Sequence, residues 1–235
     1  MDILDWIGQL HFKQAGPQTP VAANWDQAFE LENTWLGPQD AELKARLAPL
    51  LTIPRMSTLA IAALINQAVA CLPPGQAYVN VGVWHGFTFL AGLYNNPDKH
   101  CIGIDNFSQD FNQTSAREPF LARFEACRSA RHQFLERDYR EFFQQADQVP
   151  PIGVYVYDGD HSYRSQLEAL TLAAPFLAPG ALILIDDINW FEARAASEDF
   201  LFSHPQFYQI LACVETCQHG HPTFWNGLLL AQKYA

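Results

Sequence analysis

The residues of this 235-residue chain best suited to chemistry crowd into two short runs, Asp158-Gly159-Asp160-His161 and Asp186-Asp187, each directly after an apolar stretch. Carboxylates gathered in one place repel one another unless a proton or a cation lies among them. Oxygen donors of this kind suit a hard divalent cation such as Mg²⁺. Asp158, Asp186 and Asp187 are the candidate ligands, with water and substrate oxygens completing an octahedron. The competing reading is that these acids cap the helices that follow. Imidazole is the side chain suited to general-base work near neutral pH, so His161, three residues beyond Asp158, is the candidate base for a metal-bound hydroxyl.

A second group of residues has the pattern of a nucleoside site. In Asn80-Val81-Gly82-Val83-Trp84-His85-Gly86, glycines after an apolar run let backbone amides approach a ligand closely, and the helix start that follows favours an anionic group such as a carboxylate. Two glycines also occur in such turns for tightness alone. Asp105 ends the next apolar run, where a carboxylate can accept both hydroxyls of a ribose. Asp138 either reaches an adenine amino group or serves as the N-cap of a helix from Tyr139 onward.

These residues need a scaffold that brings strand ends together. Runs at 77–83, 100–105, 133–135, 153–157 and 181–185 read as strands. Between them, 88–94, 116–130 and 165–177 read as helices and 178–180 as a turn. Alternation of this kind with nearly continuous apolar strands specifies a parallel sheet covered on both faces, a doubly wound α/β fold. Residues 207–214 and 227–232 lack room for a crossover helix and are expected to pair antiparallel. That makes seven strands ending in a hairpin. A helix over 57–71, capped by Ser57 or Thr58, precedes the sheet. Residues 1–54, with a helix near 38–51 and Trp6, Trp25 and Trp35, read as an N-terminal cap on a domain spanning 55–235. The tryptophans are expected to pack inside; an aromatic arm is also compatible with a homodimer.

The 25 acidic against 14 basic residues leave a formal charge of -11, which repels a phosphate backbone and argues against nucleic acid as a partner. A small uncharged or cationic substrate is favoured. No basic leader or membrane-length apolar run is found, and five scattered cysteines are no disulfide framework, so the expected setting is the cytoplasm, away from membranes. Cys213, Cys217, His219 and His221 do not have a usual closed zinc spacing.

The runs YVNVGVWHGFT, CIGIDNF and YDGDHSYRSQLEALTLAAPFLAPGALILIDDINW together resemble the class I methyltransferases that include macrocin-type O-methyltransferases and cephalosporin-hydroxylase-like proteins. More distantly, with Met56-Ser57-Thr58, they resemble the catechol and caffeoyl-CoA O-methyltransferases. The resemblance spans roughly residues 56–190. It implies a Rossmann-like seven-stranded fold and S-adenosylmethionine (SAM) as cofactor. It implies Gly82 and Gly86 beside the methionine part of SAM, Asp105 at the ribose and Asp138 at the adenine, with Met56, Asn80, Trp84 and Asp158 also lining that site. It further implies a divalent metal on Asp158, Asp186 and Asp187, and methylation of a small-molecule hydroxyl with His161 and Asp158 as catalytic residues. The chain departs from the pattern where Asn80 replaces an acid, where Asp187 stands in place of an asparagine found in some relatives, and where His161 replaces the lysine of the plant and animal enzymes. Other readings are a non-catalytic SAM-binding module and a hydroxylase-like or other Rossmann enzyme. The turn lacks the G-x-G-x-x-G of NAD sites.

Overall fold

The computed structural model describes residues 3–12, 30–31, 34–108, 115–145, 147, 149–216 and 225–234. Seven strands form one sheet: β1 (Ala77–Val81), β2 (His100–Asp105), β3 (His132–Glu136), β4 (Ile152–Tyr157), β5 (Leu177–Asp186), β6 (Tyr208–Val214) and β7 (Leu228–Lys233). Their order is β3-β2-β1-β4-β5-β7-β6. The first five strands run parallel, while β7 lies antiparallel between β5 and β6. This is the doubly wound seven-stranded fold with the terminal hairpin that the sequence specifies.

The helices are α1 (Ile3–Ile7), α2 (Asp40–Leu47), α3 (Leu59–Ala70), α4 (Phe87–Leu93), α5 (Arg117–Cys127), α6 (Tyr139–Gln144), α7 (Tyr163–Ala173) and α8 (Phe191–Ser203). Every residue of β1 and β4 is buried, because both sheet faces are covered. One apolar cluster joins Tyr78, Val154 and Leu184 to Leu64, Phe89 and Phe120, and takes in Trp6, Leu43 and Leu47 of the N-terminal elements. The other joins Val79, Tyr155 and Ile183 to Phe142, Leu170 and Phe200 on the opposite face. The strand order reverses where β1 pairs with β2 on one side and β4 on the other, and in open α/β sheets the crevice beyond that point is where ligands bind. The register sets Val81 beside Tyr157 and Tyr157 beside Ile185, so both acidic runs and the glycine turn emerge at this edge.

Several expectations need correction. Residues 178–180 are not simply a turn: β5 already begins at Leu177, which pairs with Ile152, and the register then shifts to Val154 opposite Leu182. Such an irregularity accommodates Pro179, which cannot donate to a ladder, and Gly180 at φ +82°. Helix α8 was not expected. The helical stretch near 38–51 is broken into Gly37–Gln39, Asp40–Leu47 and Ala48–Thr52, the outer two tightened to 3-10 geometry, each with a proline in its first turn. Thr58 occupies the N-cap of α3 but its side chain does not cap; Glu30 does so instead, its Oε2 accepting from Thr58 Oγ1 and from the Leu59 amide at 2.8 Å each. Trp6 is buried, Trp35 is half exposed, and Trp25 lies outside the described residues. Among the described residues no helix is long and apolar enough to cross a membrane, and Cys71, Cys101, Cys127 and Cys213 are free thiols.

Candidate active site

The glycine turn is held by geometry that only glycine permits. Gly82 has φ +82°, and a Cβ there would lie 1.9 Å from the carbonyl oxygen of Asp158. The Asp158 amide donates to the Val81 carbonyl at 2.9 Å, so the ends of β1 and β4 touch without room for a side chain. Gly86, at φ +98°, precedes α4, and a Cβ there would strike the Phe120 ring. Asp105 braces the turn from β2: its Oδ2 accepts from the amides of Val83 and Trp84 at 2.7 and 2.9 Å, and its Oδ1 from Phe107 at 2.7 Å. Trp84 and Phe107 both take left-handed backbone conformations, φ +48° and +49°, which the carboxylate stabilises by collecting their amides.

Asn80 is wholly buried beneath this turn. Its Oδ1 accepts from the Tyr78 hydroxyl at 2.9 Å and its Nδ2 donates to the Gly82 carbonyl at 2.5 Å. Burial, followed by the charges of Cys101 and Asp158, pushes the Tyr78 phenol well above its ordinary value, so Tyr78 stays a donor to Asn80. Arg55, almost fully buried, places its guanidinium over the Phe87 ring at 5.5 Å. That contact sets the Met56–Ser57 segment beside the start of α4. Met56 itself is 41% exposed.

The acidic runs meet as the strand register requires. Asp158 and Asp186 are neighbours at the ends of β4 and β5, each one residue beyond the paired Tyr157 and Ile185. Burial, then the neighbouring Asp186 and Asp187 charges, pushes the Asp158 carboxyl well above its ordinary value. Burial and then Asp187 do the same to Asp186. Asp158 keeps 32% of its side chain exposed, so for it the neighbouring charges weigh more than burial in our reading. Asp186 is 9% exposed, and its Oδ1 makes no hydrogen bond. Two like groups this close share a proton or a cation.

His161 Nε2 lies 3.2 Å from Asp187 Oδ2 and 3.9 Å from Asp158 Oδ1, while its Nδ1 is buried without a partner. Tyr157 and Trp190 flank the ring edge-on, at 6.3 and 5.7 Å between centroids. Trp190 and Phe191 are 39% and 84% exposed, forming an aromatic rim that sequence reading passed over. Asp160 turns away: it accepts from Ser162 and from Ser165 Oγ at the start of α7. Burial pushes its carboxyl up, but the Ser165 and Ser162 donors outweigh that and hold it below the ordinary range. Asp160 thus supports the start of α7, whose N-cap is Ser162.

Residues 79–188 match the family model described as a methyltransferase domain, the stretch from β1 through the second acidic run. Over that stretch, a little under half of its length, the chain is similar to a methyltransferase domain. None of the curated proteins compared with it is similar in sequence. Among solved structures it is similar to cofactor-bound Rv0187 from MTB, at 14% identity and a TM-score of 0.60, over 92% of this chain and 98% of that one. It is also similar to the O-methyltransferase from Bacillus cereus in complex with SAH, at 12% identity and 0.56 over 88% and 96%. A third is the O-methyltransferase TomG from Streptomyces achromogenes, involved in tomaymycin synthesis and in complex with SAM, at 14% identity and 0.56 over 83% and 89%. At these identities the likeness is one of fold.

Within this fold, then, Gly82, Trp84, Gly86 and Asp105 form one braced turn, and Asp158, His161, Asp186 and Asp187 one acidic cluster across the Gly82–Asp158 contact. Asp138 stands at the N-cap of α6, where it accepts from the Arg140 amide at 2.8 Å. Among the described residues no group of three His, Cys, Asp or Glu is disposed to hold a metal ion: Asp158 and Asp186 adjoin, while Asp187 is turned to His161. Of the residues in the suggested zinc spacing, Cys213 is an exposed thiol and Cys217, His219 and His221 lie outside the described residues.

Proposed function

We propose that this chain is a cytoplasmic SAM-dependent O-methyltransferase of a small-molecule hydroxyl, with His161 as the base. The observation that carries the reading is the convergence of His161, Asp158 and Asp187 at the ends of β4 and β5, in backbone contact with the Gly82 turn at the end of β1. SAM supplies an electrophilic methyl group when bound. The braced turn would seat its amino-acid part, with Met56, Asn80 and Trp84 around it. Asp105 already accepts three amide bonds, which leaves about one of its four acceptor positions for a ribose hydroxyl. Accepting both hydroxyls, as the resemblance implies, requires release of one amide. Asp138, partly exposed at its cap, keeps its Oδ2 outside the Arg140 amide bond but paired with Arg140 Nη1 at 3.3 Å, so an adenine amino group would share that oxygen with the guanidinium.

The Asp187 carboxylate can only accept, so in the neutral His161 ring Nε2 carries the proton and donates it to Asp187, and Nδ1, which has no partner, would take the acceptor's hydroxyl proton. The resulting imidazolium would be held by Asp187 in a charge-assisted contact. Asp158 and Asp186, adjacent and with an unbonded Oδ1 on Asp186, suit one hard cation such as Mg²⁺, and Asp187 would offer the ion its Oδ1 while Oδ2 stays on His161. When bound, such an ion stabilises negative charge on the acceptor oxygen. The test is transfer of labelled methyl from SAM to a panel of phenolic, sugar and polyketide hydroxyls, with and without chelator. Loss of transfer in His161→Gln is expected. Undiminished transfer in His161→Gln removes the base assignment, and undiminished transfer under chelation and in Asp186→Asn removes the cation. No transfer to any acceptor beside tight SAM binding favours a non-catalytic SAM-binding module.

A further inference from the structure

Asp187, which holds His161, stands in a left-handed conformation at φ +57°. A non-glycine residue keeps such a conformation when its surroundings fix it, and what fixes this one lies two residues on. The Asn189 side chain pairs with Thr216 as a peptide group would: Nδ2 donates to the Thr216 carbonyl at 2.8 Å and to its Oγ1 at 2.7 Å, while Oδ1 accepts from the Thr216 amide at 3.2 Å. The Asn189 amide donates to the Asn226 carbonyl at 2.8 Å. Thr216 Oγ1 in turn donates to the Trp225 carbonyl at 3.0 Å, and the Trp190 amide donates to the Asp187 carbonyl at 2.9 Å. Gly227 makes room for this arrangement, since at φ +90° a Cβ would lie 2.7 Å from Asn189 Oδ1. The segment after β5 is thereby tied to both sides of the β6–β7 hairpin at its loop end.

We propose that Asn189 is a positioning residue, which through Thr216 holds the 187–190 segment so that the Asp187 carboxylate stays on His161. Its value for methyl transfer rests on the function proposed above, but the contact itself can be read without SAM or an acceptor. The amide is suited to the role because it offers a donor and an acceptor side by side, matching the carbonyl and amide of one residue, Thr216. Neither a carboxylate nor an aliphatic side chain could replace it.

The experiment uses the full chain with ¹⁵N-labelled histidine at one fixed pH, recording the ring signals. His161 is assigned by the signal missing from His161→Gln, and Asp187→Asn marks its position when the carboxylate contact is lost. Asn189→Ala and the near-isosteric Asn189→Leu, which lose the pairing with the Thr216 carbonyl and amide, are expected to move the His161 signal toward the Asp187→Asn position, while Thr216→Ser, which keeps backbone and hydroxyl, leaves it in place. Circular dichroism confirms that each variant is folded. Should Asn189→Ala fail to fold, Asn189→Leu decides. A His161 signal unmoved in a folded Asn189 variant, or moved in the opposite direction, overturns the proposal. Failure of the protein to bind SAM would leave this result readable and count only against the proposed function.

Discussion

Replacing Glu30 with alanine should weaken the fold far more than a residue so remote from the sheet would suggest. Glu30, Thr58 and Leu59 are fully buried, and one oxygen of Glu30 accepts both the Thr58 hydroxyl and the first free amide of α3. A bond to a charged acceptor contributes about 1.5–3 kcal/mol, and the loss of an ordinary N-cap costs about 1 kcal/mol. Removing the carboxylate also removes the cost of keeping it buried. The net expectation for Glu30→Ala is therefore about 3 kcal/mol, a drop in Tm of roughly 6–12 °C for a chain of this size. Glu30→Gln keeps an oxygen acceptor and should lose about 1 kcal/mol. Thermal and urea unfolding of both variants, and of Thr58→Ala alone and combined with Glu30→Ala, gives the coupling directly. A Glu30→Ala variant within about 0.5 kcal/mol of wild type, the range of an ordinary surface change, would refute the reasoning.

Burial and like charge raise the Asp158 and Asp186 carboxyls, so without added cation their burial is least costly below the ordinary carboxylate range of about 4. Stability should fall as pH rises from there through their raised values; in Asp186→Asn, melting curves from pH 5 to 8 should be flatter and the Tm at pH 8 higher, and an equally steep variant would contradict this. Gly82→Ala, with its Cβ driven against the Asp158 carbonyl, should cost more than about 3 kcal/mol in urea unfolding; a loss under 1 kcal/mol would show that β1 and β4 part easily. Asp138→Ala should lose about 1 kcal/mol as an N-cap; if affinity for S-adenosylhomocysteine (SAH) is unchanged in the same variant, Asp138 only caps.

Much of the fold was legible because its signals are local. β2 is read with its observed ends, since apolar residues run unbroken from His100 and stop at the acid. The hairpin is legible from the short interval between its strands. Helix α8 is not, for a physical reason: its buried residues include the small Ala193, Ala196 and Ser197, while Phe191 and Phe202 stand exposed on it, so the apolar stripe is blurred. The acidic cluster was found because strand-end acids converge in any parallel sheet. The internal roles were hidden because their partners are distant in sequence: Glu30 caps a helix 29 residues on, Asp105 braces amides 21 and 22 residues back, and Asn189 pairs with Thr216. No short-range pattern marks such pairs. Asp160 and Asp138 show the converse, since side chains that looked free for chemistry are occupied by the helix starts that follow them.

Calorimetric titration of the purified chain with SAH tests the central claim most directly. The account predicts binding in the micromolar range, about -8 kcal/mol, and its loss in a folded Asp105→Asn variant, whose amide can no longer brace the turn on both oxygens. A folded wild-type protein that binds no SAH would contradict it, leaving a methyltransferase fold without methyltransferase function.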